Sequence, residues 1–194
     1  MSKGNKTRAA ILDHAGELAT AVGLEGVTIG RLADDLSLSK SGLFAHFRSK
    51  EELQMQTIEH QRERFVNAVV RPVLSTPGGE ARVRALFEQW MTWRKMNPGG
   101  CFFTAASFEL DDRPGRPRDR LAQLQGEWLQ SIAKVAESAV KRGEFRADTD
   151  PAQWASECYG IMLSYHLAEQ LLKDSGAEAR ARRSFEDLVT RSRP

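Results

Sequence analysis

The stretch TIGRLADDLSLSKSGLFAHFRSKEEL, residues 28–53, contains three helix starts in close succession. Thr28, Ser39 and Ser49 each stand where an N-cap is expected, directly before apolar residues at helical spacing. Glu52 follows Ser49 by three positions, which is the spacing of a capping box. Two short capped helices joined by a turn form a helix-turn-helix, and the third start opens a longer helix that we expect to end near Pro72.

The second helix of this motif carries large apolar side chains at helical spacing. Leu43 and Phe47 are four positions apart, and Phe44 stands beside Leu43. The pattern predicts that all three pack in the core of a small helical domain. Upstream, an apolar stripe that ends at Gly23 predicts a preceding helix. Its members are Ile11, Leu12, Ala15, Leu18, Ala19 and Val22.

Apolar residues also recur at helical spacing through the rest of the chain. Clusters rich in glycine and proline at residues 75–79, 97–100 and 111–117 divide these helical segments. A further segment ends at Arg142 and Gly143, since a cation and a glycine are typical of a helix C-terminus. Alternation typical of a β-strand extends over only a few residues, so the sequence predicts an all-α fold.

The predicted helices fall into two domains. The helix-turn-helix and the helix before it form a three-helix domain at residues 1–50. Residues 51–194 form a larger helical domain, whose last two long helices cover about 150–173 and 178–190.

Length and composition exclude several classes of protein. The chain has 194 residues and a mass of 21.7 kDa, which suffices for one or two domains with a buried core. Apolar residues make up 41% and charged residues 28%, a balance that excludes general disorder. No apolar run approaches the roughly 18 residues of a membrane span, and the cationic start is unlike a signal peptide. We expect a cytoplasmic protein without membrane contact.

The two cysteines do not indicate a disulfide framework or a metal site. Cys101 and Cys158 are far apart in the sequence and lack metal-ligand spacing, so we expect free thiols. The sequence predicts no cofactor and no bound metal.

The excess of positive over negative charge comes from the start of the chain. The net charge is only +2, but residues 1–50 hold seven basic and five acidic side chains, whereas the remainder is balanced. Six of these seven cations lie in a segment with Lys3, Lys6 and Arg8 or in residues 37–50, neither of which contains an acid, and Arg31 lies between them among the acids. Charge sorted in this way suits a phosphate-binding module, and a solvated face remains the alternative.

In residues 8–54 the chain resembles the TetR family of bacterial transcriptional repressors. The matching segments have the family's order and spacing: Gly23-Leu24-Glu25-Gly26, Val27-Thr28-Ile29, Arg31-Leu32-Ala33, Ser39 to Phe47 and Ser49-Lys50-Glu51-Glu52-Leu53. Residues 142–151 are similar to a turn before the last helices of many members. The resemblance implies a DNA-binding regulator, usually a repressor, that a small-molecule effector releases from DNA.

Residues of this module suit two kinds of DNA contact, with phosphates and with bases. A helix fits the major groove, and a helix N-terminus offers free amides and a positive dipole end to phosphate. Thr28, Ser49 and Lys50 are placed to hold backbone phosphates, while base contacts would come from the second helix of the motif. Arg31 suits either role, and His46 either contacts DNA or faces solvent. The predicted DNA-contacting residues are Thr28, Arg31, Ser39, Lys40, Ser41, Gly42, Phe44, His46, Ser49 and Lys50.

The module departs from the family pattern at three positions. Ser37 stands where the family often has a turn glycine, so we expect a strained backbone there. Phe44 replaces a tyrosine whose hydroxyl usually binds phosphate, and Ala45 removes a larger side chain. The segment with Lys3, Lys6 and Arg8 either reaches DNA, in the minor groove or along the backbone, or is a disordered tail.

Aromatic residues in the larger domain suggest an effector pocket. All four tryptophans follow Pro72, and aromatic helical interiors can enclose an apolar cavity. For each candidate, ordinary core packing is the alternative. The predicted ligand-binding residues are Trp90, Trp93, Phe102, Phe103, Phe108, Trp128, Met162, Tyr165 and His166. Spacing does not select among the polar residues that could orient a ligand, which are Thr104, Ser107, Glu109, Cys158 and His166.

A homodimer follows from the motif, because one helix-turn-helix covers little DNA and two copies read a palindromic operator. We expect the last two helices to pair with their mates as a four-helix bundle. An enzyme is the alternative class, but no phosphate loop, nucleophile elbow or paired-histidine motif supports it. A helical protein-interaction module without DNA binding is the other alternative.

Overall fold

The computed structural model describes residues 3–97 and 99–194, and for residues 3–6 it describes the backbone alone. Within these ranges the chain forms helices and no strand, so the predicted all-α fold is confirmed. Contacts divide the described residues into two compact units. The first unit combines residues up to 66 with 95–123, and the second combines 67–94 with 124–194.

The first unit contains the helix-turn-helix. Its helices are α1 (Lys3–Val22), α2 (Ile29–Asp35), α3 (Lys40–Phe47), α4 (Lys50–Phe65), α7 (Phe102–Leu110) and the start of α8 (Arg116–Lys141). Helix α1 packs against α4 and α7, and α3 packs against α2 and α4. Gly23 ends α1 with a φ of 81°, as predicted from its position after the apolar stripe.

The second unit contains α5 (Arg71–Ser75), α6 (Glu80–Lys95), the remainder of α8, α9 (Pro151–Gln170) and α10 (Ala177–Ser192). Helices α9 and α10 pack extensively against each other. The rings of Phe87 on α6 and Phe185 on α10 are stacked, with centroids 4.0 Å apart. Two acidic side chains tie the beginning of α6 to other segments: Glu80 pairs with Arg193, and Glu144 accepts the N–H of Glu80.

The helical path was expected to end near Pro72, but it continues past this residue. Helix α4 ends at Phe65, a π-helical turn spans Val66–Val70, and α5 follows. Pro72 lies in the first turn of α5, where its missing N–H and fixed φ are tolerated. The helical path therefore continues to Ser75, after a local change in hydrogen-bond pattern.

Candidate nucleic-acid interface

The three predicted N-caps form in the structure. The N–H of Arg31 donates to Thr28 Oγ1 at 3.2 Å, that of Gly42 to Ser39 Oγ at 3.1 Å, and that of Glu52 to Ser49 Oγ at 3.1 Å. These bonds satisfy one free amide at the start of α2, α3 and α4. The capping box at Ser49 is only half formed, because the Glu52 carboxylate accepts a hydrogen bond from Gln56 and the Ser49 N–H donates to the carbonyl of Phe47.

All ten predicted DNA-contacting residues are exposed to solvent. Five of them, Lys40, Ser41, Gly42, Phe44 and His46, lie on α3. The others lie on α2 or at the N-termini of α2, α3 and α4. The structure therefore places every predicted contact where a ligand from solvent can reach it.

Phe44 corrects one expectation from the sequence. Leu43 and Phe47 are 1% and 0% exposed, as predicted for core residues, but Phe44 is 53% exposed. Positions 43 and 47 are four apart and share one helix face, whereas position 44 is rotated by about 100° from position 43. Phe44 therefore presents an apolar ring on the open face of α3.

Two residues in left-handed backbone conformation flank α3. Ser37 has a φ of 53°, as expected for a residue in place of a turn glycine, and Arg48 at the C-cap of α3 has the same value. Arg48 was not among the predicted DNA-contacting residues, although a cation directly after the second helix of the motif indicates such a role. Arg48 is exposed to solvent, as are Arg31 and Lys40.

Lys50 is held by a carboxylate. Its Nζ lies 2.8 Å from Glu25 Oε2 in the turn between α1 and α2. The hydrogen bond from Lys50, followed by that from Gln54, holds the pKa of Glu25 below its usual value. In contrast, no carboxylate of the described residues lies within 4.0 Å of Arg31, Lys40 or Arg48. Each of these three cations can neutralise an incoming anion without first releasing a carboxylate.

The cationic start of the chain is helical from Lys3 onwards. Within it, Arg8 Nε donates to Gln56 Oε1 at 3.2 Å, which joins α1 to α4. The side chains of Lys3 and Lys6 lie outside the described residues.

The same turn between α1 and α2 is bound from α7. Glu109 Oε2 accepts the backbone N–H of Leu24 at 2.6 Å, and Oε1 accepts that of Glu25 at 2.9 Å. Gly23 permits this approach, since a Cβ on it would lie 2.5 Å from the carboxylate. Glu109 is one of the polar residues considered for the effector pocket. In the structure it binds the turn that leads into the helix-turn-helix.

Comparison with known families agrees with this architecture. Residues 11–54 match the family model for bacterial regulatory proteins of the tetR family. Residues 79–185, more than half of the chain, match the model for the tetracyclin repressor-like C-terminal domain. The chain belongs to the TetR family of transcriptional regulators. Proteins of this family regulate transcription through a DNA-binding helix-turn-helix and a ligand-binding C-terminal domain, and the family is one of regulators rather than of enzymes.

One relative by sequence and two solved structures show what this chain is similar to. The tetracycline repressor protein class C of Escherichia coli is 26% identical over 200 residues, which cover 95% of this chain and 74% of the relative. A TetR transcriptional regulator from Chloroflexus aurantiacus superposes with a TM-score of 0.85 at 22% identity, covering 98% and 96% of the two chains. AibR, solved with isovaleryl coenzyme A and operator DNA, gives 0.74 at 21% identity, covering 93% and 96%.

The predicted ligand-binding residues of this TetR-family chain are distributed over both compact units. Phe102 and Phe103 lie in the first unit, where their rings make an edge contact at 5.2 Å. Phe108 on α7 is 64% exposed, which departs from the prediction that it lines an enclosed pocket. The remaining residues lie in the second unit and are Trp90, Trp93, Trp128, Met162, Tyr165 and His166.

In the second unit, Trp90 and Tyr165 bring α6 and α9 together. Their rings make an edge contact at 6.2 Å, and Trp90, Tyr165 and Met162 are buried. Among the described residues, no group of three or more His, Cys, Asp or Glu side chains is arranged to hold a metal ion. None of the described helices is both long enough and apolar enough to cross a membrane.

Proposed function

We propose that this protein is a ligand-responsive transcriptional repressor that acts in the cytoplasm. In this proposal a homodimer binds a palindromic operator, and a small-molecule effector releases it. The observation that carries the proposal is the exposed face of α3, which carries Lys40, is followed by the exposed Arg48, and has the capped N-termini of α2 and α4 before and after it in the chain. Such a face suits the major groove, and the helix N-termini suit phosphates on either side of it.

The exposed residues divide into two roles under this proposal. Thr28, Ser49 and Lys50 would hold phosphates and position the protein without reading sequence. Lys40, Ser41, Gly42 and His46 would face base edges, while Arg31 and Ser39 stand where either role is open. The exposed ring of Phe44 suits apolar contact with a thymine methyl group in place of the lost phosphate contact.

Helices α9 and α10 are the proposed dimer interface. Three leucines are exposed: Leu167 in the last turn of α9, and Leu171 and Leu172 directly after the helix. Helices α9 and α10 also form a groove of about 530 Å³, whose lining includes Gly160, Ala168 and Ala177. Small residues allow close approach of a second helix pair, and burial of the leucines would stabilise a four-helix bundle. The two α3 helices of such a dimer would read half-sites about one helical turn of DNA apart.

Effector binding would act through the helix that begins at Ser49. Movement of α4 would change the spacing of the two α3 helices and so weaken operator binding. The solved complex of AibR with isovaleryl coenzyme A and operator DNA supports the idea that this fold can hold both kinds of ligand.

Selection of DNA by the full-length protein from a random duplex library tests this proposal. We expect enrichment of a palindrome and an affinity that falls steeply with salt, with a log–log slope of about −0.9 for each phosphate neutralised. A variant with Lys40→Ala and Arg48→Ala serves as the matched control, because both side chains are exposed and removal of either leaves the core intact. If the protein enriches no duplex at low salt, the proposal is wrong.

A further inference from the structure

Arg94 is a buried cation within the second compact unit. It lies in the last turn of α6 and is 2% exposed. Its position continues the apolar stripe of Val83, Phe87, Trp90 and Met91, where a charge is unexpected. Burial of a guanidinium without an anion is very unfavourable, so the surroundings of Arg94 must supply negative charge.

Two groups on one face of α9 contact Arg94. The guanidinium carbon lies 4.4 Å from the ring centroid of Tyr165, and Nη1 donates to Tyr165 Oη at 3.3 Å. Nη2 forms an ion pair with Glu169, one turn further along the helix. Arg94 therefore stacks on an aromatic ring and uses a carboxylate as its counter-ion.

The two ends of this ion pair differ in their access to water. The side chain of Glu169 is 37% exposed, whereas that of Arg94 is 2% exposed. The side chain of Glu169 therefore reaches water in part, although its Oε2 is buried, while the Arg94 guanidinium stays in the interior. Any other carboxylate that enters can take the place of Glu169 with little net change in buried charge.

His166 lies beside this pair and does not add a second cation. Burial, with a smaller contribution from the charge of Arg94, lowers the pKa of His166 to about 4. The ring is therefore neutral at pH 7, and its buried Nδ1 has no hydrogen-bond partner among the described residues. The ring offers an unused polar atom next to a fixed positive charge.

We propose that Arg94 receives the carboxylate of a small apolar organic acid, which displaces Glu169. The planar guanidinium matches a carboxylate through two parallel hydrogen bonds, and the neighbouring Trp90 and Tyr165 rings suit an apolar body. This inference deepens the proposed function, because it assigns a chemical class to the effector. It requires only binding to the free protein, so it can be tested without DNA.

Isothermal titration calorimetry on the full-length protein at pH 7.5 and constant ionic strength tests the inference. The probes are benzoate, phenylacetate and hexanoate, each paired with its neutral primary amide. We expect at least one acid to bind about tenfold or more tighter than its amide, since a hydrogen-bonded charge contributes about this much. Equal affinity of acids and amides would overturn the inference.

Substitutions of Glu169 and of Arg94 should change the affinity for acids in opposite directions. Glu169→Gln removes the competing carboxylate and leaves Arg94 in place, so we expect acids to bind about tenfold more tightly than to the wild type. Arg94→Met should abolish the preference for acids over amides. Arg94→Lys keeps the positive charge but loses the planar guanidinium with its two parallel hydrogen bonds, so it should give an intermediate preference. If Glu169→Gln weakens acid binding, or if no acid binds either the wild type or Glu169→Gln, the inference is wrong.

Binding of selected duplex DNA by the same samples separates this inference from the proposed function. Acid binding without any DNA binding would leave the Arg94 site standing and contradict the repressor. DNA binding without a preference for acids over amides would leave the proposed repressor standing and contradict the Arg94 site.

Discussion

Glu109 on α7 holds Leu24 in the turn before the helix-turn-helix, with 2.6 Å between Glu109 Oε2 and the backbone nitrogen of Leu24. The second oxygen accepts the N–H of Glu25, so one carboxylate satisfies two adjacent amides. Because Leu24 is fully buried, its amide has no simple access to water once the carboxylate is removed.

Replacement of Glu109 by alanine should therefore destabilise the first unit. We expect a loss of about 1–3 kcal/mol in the free energy of unfolding, which is the usual cost of an unsatisfied buried amide. Asp112→Ala, an exposed change two residues beyond α7, is the control and should have little effect. Urea denaturation measures both, and equal stability of the two variants would contradict the assigned role of Glu109.

Ser37→Gly should stabilise the helix-turn-helix. Ser37 has a φ of 53°, which costs a residue with a Cβ about 1–2 kcal/mol and costs glycine almost nothing. The greater freedom of glycine in the unfolded chain offsets part of this gain, so we expect a net increase of about 0.5–1 kcal/mol. Thermal denaturation of Ser37→Gly and Ser37→Ala measures the effect. A less stable glycine variant would argue against strain at this turn.

Lys40→Ala and Lys50→Ala should affect DNA binding differently. Lys50→Ala should weaken binding to all duplexes to a similar extent and reduce the salt slope by about one, as expected for a phosphate contact. Lys40→Ala and His46→Ala should also change the preferred bases. Because Lys50 already pairs with Glu25, Glu25→Gln provides a further comparison and should leave base preference unchanged. Repeated selection from the random library with each variant gives the measurement.

Exposed leucines at the end of α9 should support the dimer. Leu171→Asp places a charge on the proposed interface, and we expect it to convert dimers to monomers in analytical ultracentrifugation. Leu74→Asp is the matched control, because Leu74 is equally apolar and exposed but lies on α5. Dissociation by the control alone would place the interface elsewhere.

Low pH should reduce the folding stability of the second unit, because Glu80 becomes protonated. Hydrogen bonds from Arg193 and, to a smaller extent, Arg84 outweigh partial burial and lower the pKa of Glu80 to about 2. A carboxyl whose pKa is lower in the folded state stabilises the fold fully above its unfolded value of about 4.5. This contribution is lost as the pH falls from about 4.5 to about 2.

Urea denaturation of the wild type and of Glu80→Gln at pH 7 and pH 3 measures this loss. The stability difference between the two proteins should be large at pH 7 and smaller at pH 3. A difference that stays constant with pH would rule out the Glu80 carboxylate as the source.

Local features of the fold could be predicted from the sequence, whereas long-range pairing could not. The N-caps Thr28, Ser39 and Ser49 were predictable, because each bonds an amide only three residues away. Phe44 was assigned to the core incorrectly, since neighbouring apolar residues on a short helix do not show which face is buried. Arg94 and Glu109 were missed as structural residues because their partners lie 75 and 85 positions away in the sequence, on helix α9 and in the turn after α1.

The division of α3 into two buried and several exposed side chains has an evolutionary consequence. Leu43 and Phe47 alone anchor this helix in the core, while Lys40, Ser41, Phe44 and Ala45 contribute little to folding. Mutations at those outward positions can accumulate with small effects on stability. A duplicated copy of this gene could therefore acquire a new target sequence in few steps, without first having to be rescued by compensating changes elsewhere in the protein.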